Sequence, residues 1–231
     1  MKNLLQVQDV YQQIRGRVIL DKISFDVASE EIVGLFGPNG AGKSTLLRKI
    51  ANTEQMIGNV VINGIPNDFT KFRTDVILVT GDIEIPRLMT LRNYCKLLST
   101  SFEIDNNFVE EYCQKLEIDI DARLGSLSKG NKEMAQLIAC LATNSKLVLL
   151  DEPFSAIDIY KRDVILEMII DSKLSGKTII ITTHLIDEIS PILDKVAYIH
   201  DTKLEFYLDS EEIQEQSDSV ASYLKERFKG E

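Results

Sequence analysis

Hydrophobic and polar positions alternate with two different periods along the chain, and the switches between them mark its elements. Leu4 to Ile14 and Val18 to Val27 carry β-branched residues with alternating character, and Arg15 and Gly16 between them predict a turn joining two strands. Ile32 to Phe36 is a short apolar run that stops at Gly37. From Lys43 to Ile50 the spacing becomes helical, with Leu46, Leu47 and Ile50 on one side. Strand, glycine loop and helix therefore follow in order. Strand-like runs recur at Val60 to Ile62 and Val76 to Val79, ahead of two stretches of helical spacing, Leu91 to Leu98 and Phe108 to Leu116, that hold few β-branched residues. A helix from Lys132 to Leu141 precedes an apolar strand at Lys146 to Leu150, and the pair repeats as Val164 to Leu174 followed by Thr178 to Thr182. That alternation predicts an α/β fold with a parallel sheet. A hairpin follows, Val196 to His200 and Leu204 to Leu208 turning through Asp201 to Lys203, then an acidic stretch and a closing helix whose Val220, Tyr223, Leu224 and Phe228 share one packing face.

Composition narrows the class. The 231 residues, 44% of them apolar, suffice for one sizeable domain with a true core, and no internal repeat or flexible linker divides them. A formal net charge of -10 disfavours a phosphate-backbone partner, because nonspecific binding there is driven by Lys and Arg displacing counterions, so no nucleic acid is expected. Cys95, Cys113 and Cys140 are widely spaced with no C-x-x-C pair, which indicates neither a zinc site nor a disulfide framework and fits a reducing cytoplasm. Met1 to Val7 offers too little for a signal peptide, and the longest apolar runs fall well short of the ~20 residues needed to cross a bilayer.

Candidate chemistry begins at Gly37-Pro38-Asn39-Gly40-Ala41-Gly42-Lys43-Ser44-Thr45, which fits the phosphate-loop pattern G-x-x-x-x-G-K-[ST]. Glycines let the backbone take positive φ and curl its N–H groups around an anion, and a helix starting near Gly42 adds the positive end of its dipole. Lys43 supplies a point charge for the β and γ phosphates, the Ser44 hydroxyl is placed to ligate Mg²⁺, and Thr45 lies toward the α phosphate. Further on, the strand before Pro153 ends in Asp151 and Glu152, whose side chains are expected to alternate in direction and so to take different tasks. Asp151 is suited to hold the metal through water beside Ser44, and Glu152 to orient and deprotonate the attacking water. Ahead of them, Leu127-Ser128-Lys129-Gly130-Asn131 opens a helix, with Ser128 as N-cap and Gly130 exposing backbone at an anion-favouring terminus.

Phosphate loop, Ser128–Gly130 loop, Asp151–Glu152 strand end, Ser155-Ala156-Ile157-Asp158 and Thr182-Thr183-His184, in that order, resemble the ATP-binding-cassette family from Tyr11 to about Leu208. The resemblance implies a P-loop NTPase core with a mostly parallel sheet, an N-terminal antiparallel β subdomain and a helical signature subdomain. It places a single ATPase domain over residues 1–231, the helical part roughly at 83–145 and the C-terminal hairpin and helix roughly at 195–231. It implies ATP and Mg²⁺ as ligands, and a second ATP-binding cassette, identical or different, facing the first head to tail. Ser128 and the Gly130 N–H would then contact the γ phosphate of ATP held by the second subunit, with Asp158 at the interface. His184 resembles the histidine that contacts the γ phosphate and positions water with Glu152. Tyr11 resembles the aromatic residue that stacks on adenine, although a tyrosine in a strand is equally a packing residue, and Val18 is placed at the ribose. His200 carries no such match and reads as a hairpin residue.

Two departures stand out. Where the family usually has a glutamine after the Val76–Thr80 strand, this chain has Gly81-Asp82; Asp82 reaches the metal shell as a shorter acid, or water takes the role. Lys129 and Asn131 replace the usual glycine and glutamine of the signature, a form similar to cassettes of exporters of peptides, lantibiotics and drugs that pair with separate membrane subunits. Lys129 either adds charge near the triphosphate or is simply solvated. The expectation is thus an ATPase on the inner face of the cell membrane, coupled to a transmembrane permease, with a soluble cassette in macromolecular assembly, such as that of metal clusters, as the competing reading. Glu152 and His184 together argue against a cassette that binds ATP without turnover.

Overall fold

A computed structural model of the chain describes residues 2–53, 55, 57–68, 73–81, 85–154 and 157–227. Asp82, Ser155, Ala156 and Phe228, all named above, lie outside them. Two sheets organise the described residues. The first pairs β1 (Asn3–Ile14) with β2 (Arg17–Ala28) as an antiparallel hairpin whose turn places Arg15 and Gly16 at φ 50 and 82, the two positive values a tight hairpin connection demands. β4 (Ile57–Ile62) and the short β5 (Ile65–Pro66) extend it in the order β2-β1-β4-β5.

The second sheet has the order β10-β9-β3-β8-β7-β6, built from β3 (Ile32–Phe36), β6 (Val76–Thr80), β7 (Leu147–Asp151), β8 (Thr178–Thr182), β9 (Lys195–His200) and β10 (Lys203–Asp209). β10 returns antiparallel on β9, and the other five strands are parallel. Their unbroken apolar runs have a simple cause: both faces are covered. On β7, Val148 and Leu150 enter one core with α2 (Leu91–Leu98), α3 (Asn106–Lys115), α4 (Lys129–Leu141) and α5 (Ile159–Leu174). Leu147 and Leu149 point the other way, into a core shared with α1 (Lys43–Ile50) and the four-stranded sheet. β3, β8 and β9 divide their residues between the same two cores. The short α6 (Ile186–Ile189) and α7 (Ser210–Gln214), the latter within the acidic stretch, and α8 (Val220–Arg227) complete the helical side, where Val220, Tyr223 and Leu224 are buried.

Two helices start about a turn earlier than their apolar periodicity indicates, α4 at Lys129 rather than Lys132 and α5 at Ile159 rather than Val164. In each, a side-chain cap opens the helix one turn ahead of its buried stripe. The Ser128 hydroxyl accepts from the Asn131 N–H at 3.2 Å, and the Asp158 carboxylate from the Tyr160 N–H at 3.0 Å. Among the described residues no helix is long and apolar enough to cross a membrane.

Candidate active site

Parallel strands bring their carboxyl ends to one edge, where α/β sheets place their ligands. Register puts Thr80, Asp151 and Thr182 side by side on β6, β7 and β8 at that edge, and the loop after Phe36 leaves the same edge from β3. Within that loop the Ala41 N–H donates to the Pro38 carbonyl at 3.2 Å, and Gly42, with φ 100, stands at the N-cap position of α1 and supplies no side-chain cap. A Cβ on Gly37 would stand 2.1 Å from the Ile199 carbonyl oxygen, and one on Gly42 would stand 2.6 Å from Leu20 Cδ2. Only glycine lets the loop lie this close to β9 and β2. The first-turn N–H groups of α1 are therefore presented without a protein side chain to receive them.

Lys43, buried on the first turn of α1, folds back so that its Nζ donates to the Gly37 carbonyl at 2.6 Å and the Pro38 carbonyl at 3.0 Å. Burial pushes its ammonium below the ordinary lysine range, and the charges of Glu152 and Asp151 pull it part of the way back. An ammonium in that position is short of countercharge, which an anion in the loop supplies.

The two acids are set by a mechanism other than strand alternation. β7 ends at Asp151, and Glu152 turns out of it with φ 54, a left-handed conformation costly for a residue with a side chain. Thr182 holds both. Its Oγ1 donates to Asp151 Oδ1 at 2.7 Å, while its Oγ1 and its carbonyl each accept from the Glu152 N–H at 3.1 Å. His184, exposed just past β8, places Nε2 3.2 Å from Glu152 Oε1. Lys43, Asp151, Glu152 and His184 are thus brought together from three separate strand ends. The sequence names Thr182 only within Thr182-Thr183-His184 and gives it no task, because a threonine closing an apolar strand carries no signal of what it bonds.

Other candidates stand elsewhere. Val18 borders a hollow of about 160 Å³ together with Pro38, Asn39, Gly40 and Ala41, and His200 lines the same hollow, although its sequence context gave it no role. Tyr11 lies in a different hollow, with Gln12, Gln13, Gln55 and Ile57. Ser128 and Asp158 are exposed caps at the starts of α4 and α5, and Gly130 lies in the first turn of α4. Lys129, largely exposed, places Nζ 3.7 Å from Oε1 of the mostly buried Glu133 one turn along α4.

Whether these residues suit Mg²⁺ is a question of donor type. The Ser44 hydroxyl and the Asp151 carboxylate are hard oxygen donors on adjoining elements, since α1 packs against β7. Among the described residues no group of three or more His, Cys, Asp or Glu could hold an ion alone. Such a sparse oxygen set fits magnesium, which takes one or two protein ligands and completes its shell with phosphate and water.

The family described as ABC transporter matches residues 20–155 of the chain. An uncharacterised ABC transporter ATP-binding protein of Methanocaldococcus jannaschii is 31% identical over 220 residues, which span 92% of this chain and 80% of that protein. The Nod factor export ATP-binding protein I of Rhizobium leguminosarum bv. viciae is 28% identical over 84% of this chain and 66% of its own length. The arabinose import ATP-binding protein AraG 1 of Burkholderia cenocepacia is 28% identical over 87% of this chain and 43% of its own length. A solved ATP-binding subunit of an ABC transporter superposes with a TM-score of 0.85 over 96% of this chain and 98% of its own, at 22% identity, a likeness of fold.

Proposed function

The chain belongs to the ABC transporter family, and from that premise we propose that it is the ATP-hydrolysing subunit powering transport across the cytoplasmic membrane through a separate transmembrane permease. The observation that carries the proposal is the meeting of Lys43 with Asp151 and Glu152, in which a buried ammonium and two carboxylates share one sheet edge with an uncapped helix start. In this reading Lys43 leaves the Gly37 and Pro38 carbonyls for the β and γ phosphates, and the N–H groups of Gly40 to Thr45 close around them. Glu152 takes a proton from the attacking water, and His184 at its side holds that water toward the γ phosphate. Ser44 and Asp151 hold Mg²⁺, with Asp82 a further candidate; the ion, when bound, offsets phosphate charge. Val18 borders the ribose, and Tyr11 stacks on adenine only if the base extends from the Val18 hollow to its own.

Completion of the site falls to a second cassette. Helices α2 to α4, the signature subdomain at roughly 83–145, carry Ser128 and Gly130 to the γ phosphate of the facing subunit, with Asp158 beside that interface. A largely apolar groove of about 540 Å³ between the end of α1, β6 and α2, lined by Val76, Leu78, Tyr94, Leu98 and Phe102 among others, is the surface offered to the permease. The protein is then peripheral on the inner face of the cell membrane. Relatives are named for both export and import. The choice of export, of a peptide, lantibiotic or drug-like substrate, rests on the Lys129 and Asn131 form of the signature.

Glu152→Gln tests the whole reading. It removes the proton acceptor and keeps the shape, so turnover should fall about 10²- to 10⁴-fold while Mg²⁺-dependent ATP affinity persists. A tagged variant, isolated from membranes with ATP, should bring a polytopic membrane protein with it. Unchanged hydrolysis removes Glu152 from the base role, and recovery of only soluble assembly proteins favours a cassette working in macromolecular assembly.

A further inference from the structure

Helix α4 runs from the exposed Ser128 into the core, where Met134, Leu137, Ile138 and Leu141 pack tightly. Among these apolar side chains sits Gln136, 4% exposed, whose Nε2 has no hydrogen-bond partner among the described residues. A buried amide donor left unmet is costly, and such groups point to a ligand or to an energetic function. Gln136 lines a cavity of about 10 Å³ with Thr80, Gly81, Asp151, Glu152 and the largely buried Glu133 of its own helix. A single water needs roughly 10–15 Å³ and two to four polar partners. Gly81 sends no side chain into that space, and the carboxylates on its far wall can only accept. Asp151 and Glu152 already engage Thr182 and His184 through one oxygen each, which leaves further acceptor capacity on both acids.

We propose that Gln136 is a positioning residue for ATP hydrolysis, its Nε2 donating to one cavity water that in turn donates to the Asp151–Glu152 carboxylates. The inference deepens the ATPase reading and rests on it. Eight residues of one helix separate Gln136 from Ser128, a rise of about 12 Å, so displacement of the signature end of α4 is delivered directly to the cavity. Closure of a second subunit on Ser128 then adjusts the acid that orients the attacking water. The carboxylate geometry becomes dependent on the partner through a residue that touches neither ATP nor the partner.

Gln136→Met keeps the length of the side chain and deletes the donor. Because the bridging water already receives that donor, its loss should leave Tm of the full chain within about 2 °C of the wild-type value. Equilibrium affinity and KM for ATP with Mg²⁺ should stay at the wild-type value, while kcat falls about tenfold or more, as for loss of an outer-shell partner. Gln136→Leu should likewise spare Tm and KM and lower kcat, which guards against a local fault of packing. A kcat equal to wild type in both variants overturns the proposal while leaving the ATPase reading intact. A lower Tm with kcat and KM changed together makes Gln136 a packing residue, and overturns it also. Wild-type protein that binds no ATP overturns the ATPase reading and this inference with it.

Discussion

Two loops in this molecule end in a helix start with glycine nearby, and they are built in opposite ways. The Gly37–Gly42 loop ahead of α1 is wedged against Ile199 and Leu20, has no side-chain cap, and holds a buried lysine folded onto its own carbonyls. The loop at the start of α4 is exposed, its serine caps the Asn131 N–H, and its lysine faces solvent beside Glu133. The first is shaped by the surrounding fold so that its helix-start N–H groups meet no side-chain cap and its lysine lies buried beside them. The second is satisfied within the chain and offers a surface to something outside it. Under the proposed function, the uncapped helix start that the fold protects is a binding site within one subunit, and the capped and exposed one becomes part of a site when another subunit arrives.

The sharpest test of that contrast is Lys43→Ala. Loss of a charged hydrogen-bond donor costs about 1.5–3 kcal/mol, so the single chain should lose roughly 10- to 100-fold in ATP affinity by titration calorimetry. Because burial already disfavours the Lys43 ammonium, the ligand-free variant should keep or gain thermal stability. Affinity equal to wild type would erase the difference between the loops. Next in size is Gly37→Ala, whose Cβ would meet the Ile199 carbonyl oxygen at 2.1 Å, with φ at 146. Overpacking of this kind typically costs 1–3 kcal/mol, so Tm should fall by about 2–10 °C and ATP affinity should fall with it. An unaltered Tm would show that the wedge against β9 yields freely.

How much of this was legible in the sequence depends on the range of the interactions. The phosphate loop was readable because its chemistry is local: glycine spacing, one lysine and the helix after it declare the site before any tertiary contact. The strands were readable because both faces of the main sheet are buried, which leaves runs such as Leu147 to Leu150 without polar interruption. Helix starts shifted because α4 and α5 are opened by polar caps that precede their apolar stripes. The posture of Glu152 was hidden altogether. Strand alternation predicts a direction for its side chain, but the strand ends one residue earlier and Thr182, thirty positions away, fixes the turn. His200 was passed over for the same reason, since only folding brings the hairpin of β9 and β10 to the Pro38–Ala41 turn.

Ser128→Ala should have the smallest effect in the isolated chain and the most informative one in an assembled transporter. Deleting the cap that receives the Asn131 N–H should lower stability by about 1 kcal/mol, a shift of roughly 2–4 °C in Tm for a domain of this size. Single-chain ATP affinity should not change, because the loop contributes no donor to its own subunit's nucleotide. Ser128→Asp separates the two roles. Aspartate caps a helix as well as serine does, so Tm should return to the wild-type value, whereas a carboxylate facing a γ phosphate repels it and turnover in the assembled complex should stay low. If Ser128→Asp restores turnover together with Tm, the loop is a cap and nothing more. If Ser128→Ala weakens ATP binding by the isolated chain as Lys43→Ala does, both loops serve one nucleotide within one subunit, and the division of labour between a self-contained cradle and a borrowed lid is wrong.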